Sequence, residues 1–147
     1  MKRAILYAGL LCGVLDGLSA IALTLALGGK IERMFQGIAA GVMGTQLAAR
    51  AGLASALLGL ALHFFIAFGA AAVYYAASRI WPLLIRQALA CGVLYGVLVH
   101  LFMNYLVIPM SAIGSRPFNT RTFYPILAIH MIVVGPSISL MIRKYKE

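Results

Sequence analysis

Four ionisable side chains stand apart in a strongly apolar chain: Asp16, His63, His100 and His130. Each lies in the middle third of a separate long apolar stretch. An ionisable group in the hydrocarbon of a membrane is costly, so its presence there indicates a functional site. Imidazole changes its charge near neutral pH, and together with a carboxylate it can pass protons or hold a cation. The four residues therefore predict a buried polar layer.

The amino-acid composition indicates to which class of protein the chain belongs. Hydrophobic residues make up 63% of the 147 residues and charged residues 10%, whereas a soluble domain is about 25% charged. We therefore expect an integral membrane protein with a single membrane domain, residues 1–147. The formal net charge of +9 comes from Lys and Arg residues at the ends of apolar stretches. Such residues anchor spans to anionic lipid headgroups, so membrane lipid is the expected partner and nucleic acid is not.

The hydropathy pattern predicts an all-α, four-transmembrane-helix bundle with an additional interfacial or re-entrant helix. Each of the four spans is long enough to cross the roughly 30 Å of hydrocarbon. Apolar residues at helical spacing, with charged residues on other faces, predict the additional helix. The predicted transmembrane ranges are 4–27, 51–78, 87–108 and 125–142, and the additional helix covers 31–48.

The distribution of basic residues predicts the orientation. Seven lie on the side of the amino terminus (Lys2, Arg3, Arg79, Arg86, Arg143, Lys144 and Lys146) and five on the other side (Lys30, Arg33, Arg50, Arg116 and Arg121). Because cytoplasmic loops carry the excess of positive charge, both termini are expected in the cytoplasm. Cys12 and Cys91 lie within spans and form no CxxC pair, so they predict packing rather than redox chemistry.

Helical geometry tests whether the four polar residues face the bundle. At about 100° per residue, Asp16 shares a face with Gly9, Gly13 and Gly17, and His63 lies on a stripe of small residues. At about 1.5 Å of rise per residue the four side chains fall at similar depths. Further polar residues on the inner faces, predicted to hold water beside the layer, are Asn104, Tyr74 and Ser137.

Three classes of function fit this layer. The first is a proton or small-cation transporter or channel that uses Asp16 and the three histidines. The second is a metal- or haem-binding membrane protein, because one carboxylate and three imidazoles suit Zn²⁺ or another transition metal and two histidines can clamp a haem. The third is a lipid-binding or assembly module whose polar layer only sets helix register, with a homo-oligomer as one form of assembly.

The outer loop offers two further candidates, Arg116 and Arg121, for contact with a lipid phosphate or with a lipid or quinone headgroup. Enzyme chemistry finds little support in the residues. There is no Ser-His-Asp order, no pair of catalytic carboxylates and no phosphate-binding glycine loop. The sequence therefore favours transport or binding over catalysis.

Four segments of the chain resemble a known group of proteins. They are GLLCGVLDGLSA, FQGIAAGVMG, LGLALHFFIAFGAAAVYY and LYGVLVHLFMNYLVIPMSAIG. They are similar to segments of small, uncharacterised four-span inner-membrane proteins of bacteria. The resemblance implies a bacterial cytoplasmic membrane and a four-helix fold, and it implies no activity, ligand or site.

Overall fold

A computed structural model describes residues 2–145, and within that range the chain is helical without any β-strand. Lys146, which contributes to the charge asymmetry, lies outside the described residues. Seven helices follow one another in the described part: α1 (Lys2–Ala26), α2 (Ile31–Met43), α3 (Thr45–Arg50), α4 (Leu53–Ile80), α5 (Leu83–Arg86), α6 (Ala88–Met110) and α7 (Thr120–Tyr145).

Four of these helices, α1, α4, α6 and α7, are long and apolar enough to cross a membrane. The predicted all-α bundle with four potential spans is therefore confirmed. Helix α7 begins at Thr120, before the predicted start of the fourth span, because Asn119 caps its first turn by accepting a hydrogen bond from the Arg121 N–H at 3.0 Å.

The segment between α1 and α4 differs from the single helix predicted for residues 31–48. Gly44 separates α2 from α3 with a φ of 81° and a ψ of 157°. Only glycine adopts this backbone conformation without strain, so the chain bends there. Gly52, with a φ of 57°, makes the second bend, which leads into α4.

The bundle has a terminal end and a loop end. The terminal end holds residues 2 and 145 and the short α5, and the loop end holds the α1–α2 connection and residues 111–119. Helix α1 packs against α4 and α7, and α6 packs against α7. At the terminal end the core is closed by fully buried side chains, among them Tyr74, Ile138 and Ile142.

Glycines determine how closely neighbouring helices approach. The Gly9 and Gly13 positions of α1 accommodate the rings of Phe68 and Phe64 of α4. Backbone meets backbone between α6 and α7 instead. There Gly92 and Gly96 contact the backbone of Gly135 and His130, so a side chain at these positions would overlap the neighbouring helix.

Helix α2 lies against the loop-end half of α4. The Phe35 carbonyl contacts Gly59, and the Gln36 amide donates to the Gly52 carbonyl oxygen at 3.0 Å. The Ala112 N–H donates to the Gly41 carbonyl oxygen at 2.9 Å, which ties the end of α2 to the loop that follows α6. These contacts place one face of α2 over the interior of the bundle.

Candidate functional site

Asp16 of α1 and His63 of α4 form the first polar pair. The Nδ1 atom of His63 lies 4.0 Å from Oδ2 of Asp16, and the two side chains are 10% and 22% exposed respectively. The other ring nitrogen, Nε2, lies 2.8 Å from the Gly13 carbonyl oxygen. Gly17 makes room for this ring, because a Cβ added at Gly17 would lie 3.3 Å from Nε2.

The hydrogen bond to Gly13 decides where the protons of this pair can be. A carbonyl oxygen only accepts hydrogen bonds, so Nε2 of His63 must carry a hydrogen. A neutral ring then presents a lone pair at Nδ1 toward the Asp16 carboxylate, and the two groups repel each other. They attract only when one further proton resides on Nδ1 or on the carboxyl group. The Gly13 carbonyl therefore fixes the ring with Nδ1 facing the Asp16 carboxyl group.

His100 of α6 and His130 of α7 form the second pair. Their ring centroids lie 5.2 Å apart in an edge contact, and His100 is buried. His130 donates from Nδ1 to the Ile126 carbonyl oxygen at 2.9 Å, which leaves Nε2 of the neutral ring as an acceptor. Beside them, the Asn104 amide donates to the His100 carbonyl oxygen at 2.9 Å. Phe123 packs against the His100 ring at 4.6 Å between centroids.

Both helices of the second pair widen into a π-helical turn at this level. The π-helical segments are Met103–Val107 in α6 and His130–Val134 in α7. Each segment ends two residues before a proline, Pro109 in α6 and Pro136 in α7. A proline has no N–H and its ring clashes with the preceding turn, and a wider turn relieves both problems. The prolines therefore account for the irregular backbone that carries Asn104 and His130.

The two pairs line one cavity of about 560 Å³ in the loop-end half of the bundle. Asn104 also lines it, and Arg116 lines it beside the residues of the loop. Most of the remaining wall consists of Leu, Ile, Val, Met, Ala and Gly residues from α1, α2, α4, α6 and α7. Asp16 and Arg116 are its two charged lining residues within the described part of the chain.

Tyr95 closes the cavity toward the terminal end. Its hydroxyl donates to the carbonyl oxygen of Ala70, a residue of the cavity wall, at 2.7 Å. Its ring contacts Tyr74 at 5.0 Å between centroids. Tyr95 thus joins α6 to α4 directly below the cavity, and this Tyr95–Ala70 contact is called the floor of the cavity.

Three of the predicted site residues lie elsewhere. Tyr74 donates its hydroxyl to the Leu84 carbonyl oxygen at 2.8 Å, near the terminal end. Ser137 donates to the Val134 carbonyl oxygen at 3.0 Å and lines a separate outer groove between α1 and α7. Arg121 is exposed on the loop end and, unlike Arg116, does not line the cavity. The position of a residue along its helix therefore does not show whether its side chain lines the cavity.

The four ionisable residues are arranged as two pairs and not as a compact ligand set. Among residues 2–145, no group of three or more His, Cys, Asp or Glu side chains is close enough to hold a metal ion. The His100 and His130 rings contact each other directly, which leaves no space for a haem between them. The predicted metal set of Asp16, His63, His100 and His130 and the predicted haem clamp therefore find no support in this geometry.

Sequence reasoning missed two parts of the site. Tyr95 was not predicted as the floor, because its role depends on which carbonyl lies opposite its hydroxyl. Helix α2 was not predicted as a cavity wall, although Gly37 and Gly41 both line the cavity. The spacing of these two glycines, four residues apart on one helical face, was a signal that this face of α2 is turned toward the bundle.

The floor contact yields a stability prediction. Tyr95→Phe removes the hydroxyl and leaves the Ala70 carbonyl without that donor, so we expect a loss of about 1 kcal/mol in the free energy of unfolding. Tyr105→Phe is the matched control, since Tyr105 is 65% exposed on the outer surface of α6, and its expected change is within about 0.5 kcal/mol. Unfolding in detergent measures both, and equal effects would show that the Tyr95 hydroxyl does not hold the floor.

Comparison with protein-family models, with curated proteins and with solved structures found no match to this chain.

Proposed function

We propose that this protein crosses a bacterial cytoplasmic membrane four times, with both termini in the cytoplasm, and transports protons through its polar-lined cavity. Four helices of sufficient length and apolar character support the membrane placement. The excess of basic residues at the terminal end supports the orientation. Helix α2 then lies at the outer interface, with Glu32 and Arg33 exposed at its start and its other side packed on the bundle.

The observation that carries the proposal is the geometry of the Asp16–His63 pair. The Gly13 carbonyl holds the His63 ring so that Nδ1 faces the carboxylate, and the pair is attractive only with an additional proton. Both residues line the cavity, so a proton can reach them from the loop end. His100 and His130, on the α6–α7 side of the same cavity, provide a second place where a proton can reside.

Protons fit this site better than other small cations do. Arg116 places a positive charge among the loop residues that line the cavity, and it repels incoming metal ions. The mostly aliphatic wall also offers few oxygen ligands for a hard cation. A proton needs only a short chain of hydrogen-bonding groups or water.

The closed floor favours a gated carrier over an open channel. The cavity reaches the loop end at Ser111, Ile113 and Arg116, whereas Tyr95 and the buried core close it toward the terminal end. In this proposal the Tyr95–Ala70 contact opens when a proton passes toward the terminal end. The π-helical turns of α6 and α7 lie at the level of the cavity, and such turns are places where helices bend.

Proton flux into liposomes tests the proposal. Purified protein is reconstituted with a pH-sensitive dye inside the vesicles, and a membrane potential drives proton entry. We expect flux above that of protein-free vesicles, and Asp16→Asn is expected to lower it at least about ten-fold because the amide cannot share the proton. Glu32→Gln is the matched control, since this exposed carboxylate lies outside the cavity wall. Absence of flux in the wild type, or equal flux in wild type and Asp16→Asn, would refute the proposal.

A further inference from the structure

The hydrogen-bonding groups of the cavity lie on two sides of an otherwise apolar space. Asp16 and His63 belong to the α1–α4 side, and His100, Asn104 and His130 belong to the α6–α7 side. His63 and His130 each donate a hydrogen bond from one ring nitrogen to a backbone carbonyl oxygen. The other nitrogen of each ring can therefore bind a further partner. The site thus offers one polar edge on each side.

The apolar residues of the remaining wall indicate that the middle part of the ligand is apolar. Side chains such as Leu62, Ile66, Met103 and Ile129 surround the space between the two polar edges. Water gains little from aliphatic walls, whereas an apolar molecule is stabilised by them. A volume of about 560 Å³ lies within the roughly 300–1,000 Å³ of small-molecule sites, which are mostly apolar with a few placed polar groups.

We infer that the cavity binds a quinone or its hydroquinone. A quinone is a flat apolar ring with oxygen atoms on two opposite edges, which matches a polar edge on each side of an apolar space. When the Asp16–His63 pair carries an additional proton, it can donate a hydrogen bond to one quinone oxygen. On the other side the acceptor Nε2 of His130 suits the O–H of a hydroquinone, and the Asn104 amide lies beside it.

Charge at the cavity agrees with a neutral ligand. Arg116 disfavours a cationic molecule, and the Asp16 carboxyl group disfavours an anion placed at the polar layer. A quinone carries no charge, so neither residue opposes it, and its alkyl substituent can occupy the aliphatic part of the wall. This inference concerns the same cavity as the proposed proton transport, but it does not depend on proton flux.

Gly37 provides a way to block the cavity without disturbing the packing. It lies on the wall formed by α2, and a Cβ built on it meets no atom within 4 Å. Gly37→Leu therefore projects a side chain into open space where the ligand would lie. Gly69→Leu is the matched control, because Gly69 also lies in a helix with no atom within 4 Å and does not line the cavity.

Equilibrium binding of decyl-para-benzoquinone to the purified full-length protein in detergent tests the inference. We expect saturable binding of one molecule per chain, at least about ten-fold tighter than binding of decylbenzene, which has the same tail but no oxygen atoms. Gly37→Leu and His100→Phe are each expected to weaken binding by at least about ten-fold, and Gly69→Leu to leave it unchanged. Circular dichroism and gel filtration establish that each variant is folded.

Several results would overturn the inference. They are the absence of saturable binding, equal affinity for decylbenzene, tighter binding of decanoate, or undiminished binding by Gly37→Leu. The outcome is separable from that of the proposed function, because binding is measured without a membrane potential or a proton gradient. Quinone binding without proton flux would refute only the transport proposal, and flux without quinone binding would refute only this inference.

Discussion

Gly96→Val is expected to destabilise the protein by about 3 kcal/mol or more and to separate the His100–His130 pair. A Cβ added at Gly96 would overlap the His130 carbonyl group and crowd the Met131 nitrogen, both backbone atoms of α7. Backbone atoms cannot rotate away as the end of a flexible side chain can. The helices must therefore move apart, and the π-helical turn that begins at His130 moves with α7.

Gly69→Val is the matched control for this prediction. Both glycines lie inside long helices, so the helix propensity cost of a β-branched residue is the same in the two variants. Only Gly96 contacts a neighbouring helix, because a Cβ at Gly69 meets nothing within 4 Å. Unfolding of both variants in mixed detergent gives the comparison. Equal destabilisation would mean that the α6–α7 backbone contact does not contribute to stability.

His63→Gln is expected to lower proton flux at least about ten-fold while changing the free energy of unfolding by less than about 1 kcal/mol. The side-chain amide of Gln can donate to the Gly13 carbonyl as Nε2 of His63 does. It cannot take up and release a proton, so the hydrogen bond is kept and the proton carrier is lost. This variant separates the structural role of His63 from its proposed role in transport.

His63→Phe supplies the opposite comparison. The phenyl ring preserves much of the packing against Phe35 and Phe64 but has no donor for the Gly13 carbonyl. We expect this variant to lose flux as His63→Gln does and also to lose about 1–3 kcal/mol of stability. Flux in reconstituted liposomes and unfolding in detergent are measured on the same preparations. Wild-type flux in His63→Gln would show that the imidazole is not the proton carrier.

The bundle and the depth of its polar residues could be predicted from local sequence. Span length follows from runs of apolar residues, and depth follows from a nearly constant rise per residue along each helix. Asp16, His63, His100 and His130 accordingly line one cavity. Tyr74 and Ser137 were predicted beside the same layer and do not line that cavity; the Tyr74 hydroxyl donates to the Leu84 carbonyl oxygen instead.

The division of residues 31–50 into two helices shows a second limit of the sequence. The pattern predicted one helix over 31–48, and the structure bends the chain at Gly44. A glycine within an amphipathic pattern is compatible with a continuous helix and with a bend. The contacts of α2 with Gly59 and Gly52 favour the bend, and these contacts join residues far apart in the chain.

The sequence by itself determined that there are four apolar helices with one ionisable residue at mid-length in each, because both properties depend only on neighbouring residues and the regular helical rise. Only the tertiary structure decided that Asp16 pairs with His63 and His100 with His130. Pairing depends on which helices are neighbours and how closely their backbones approach. The Gly92, Gly96 and Gly135 contacts set that approach for α6 and α7, and no local pattern specifies which glycine faces which helix.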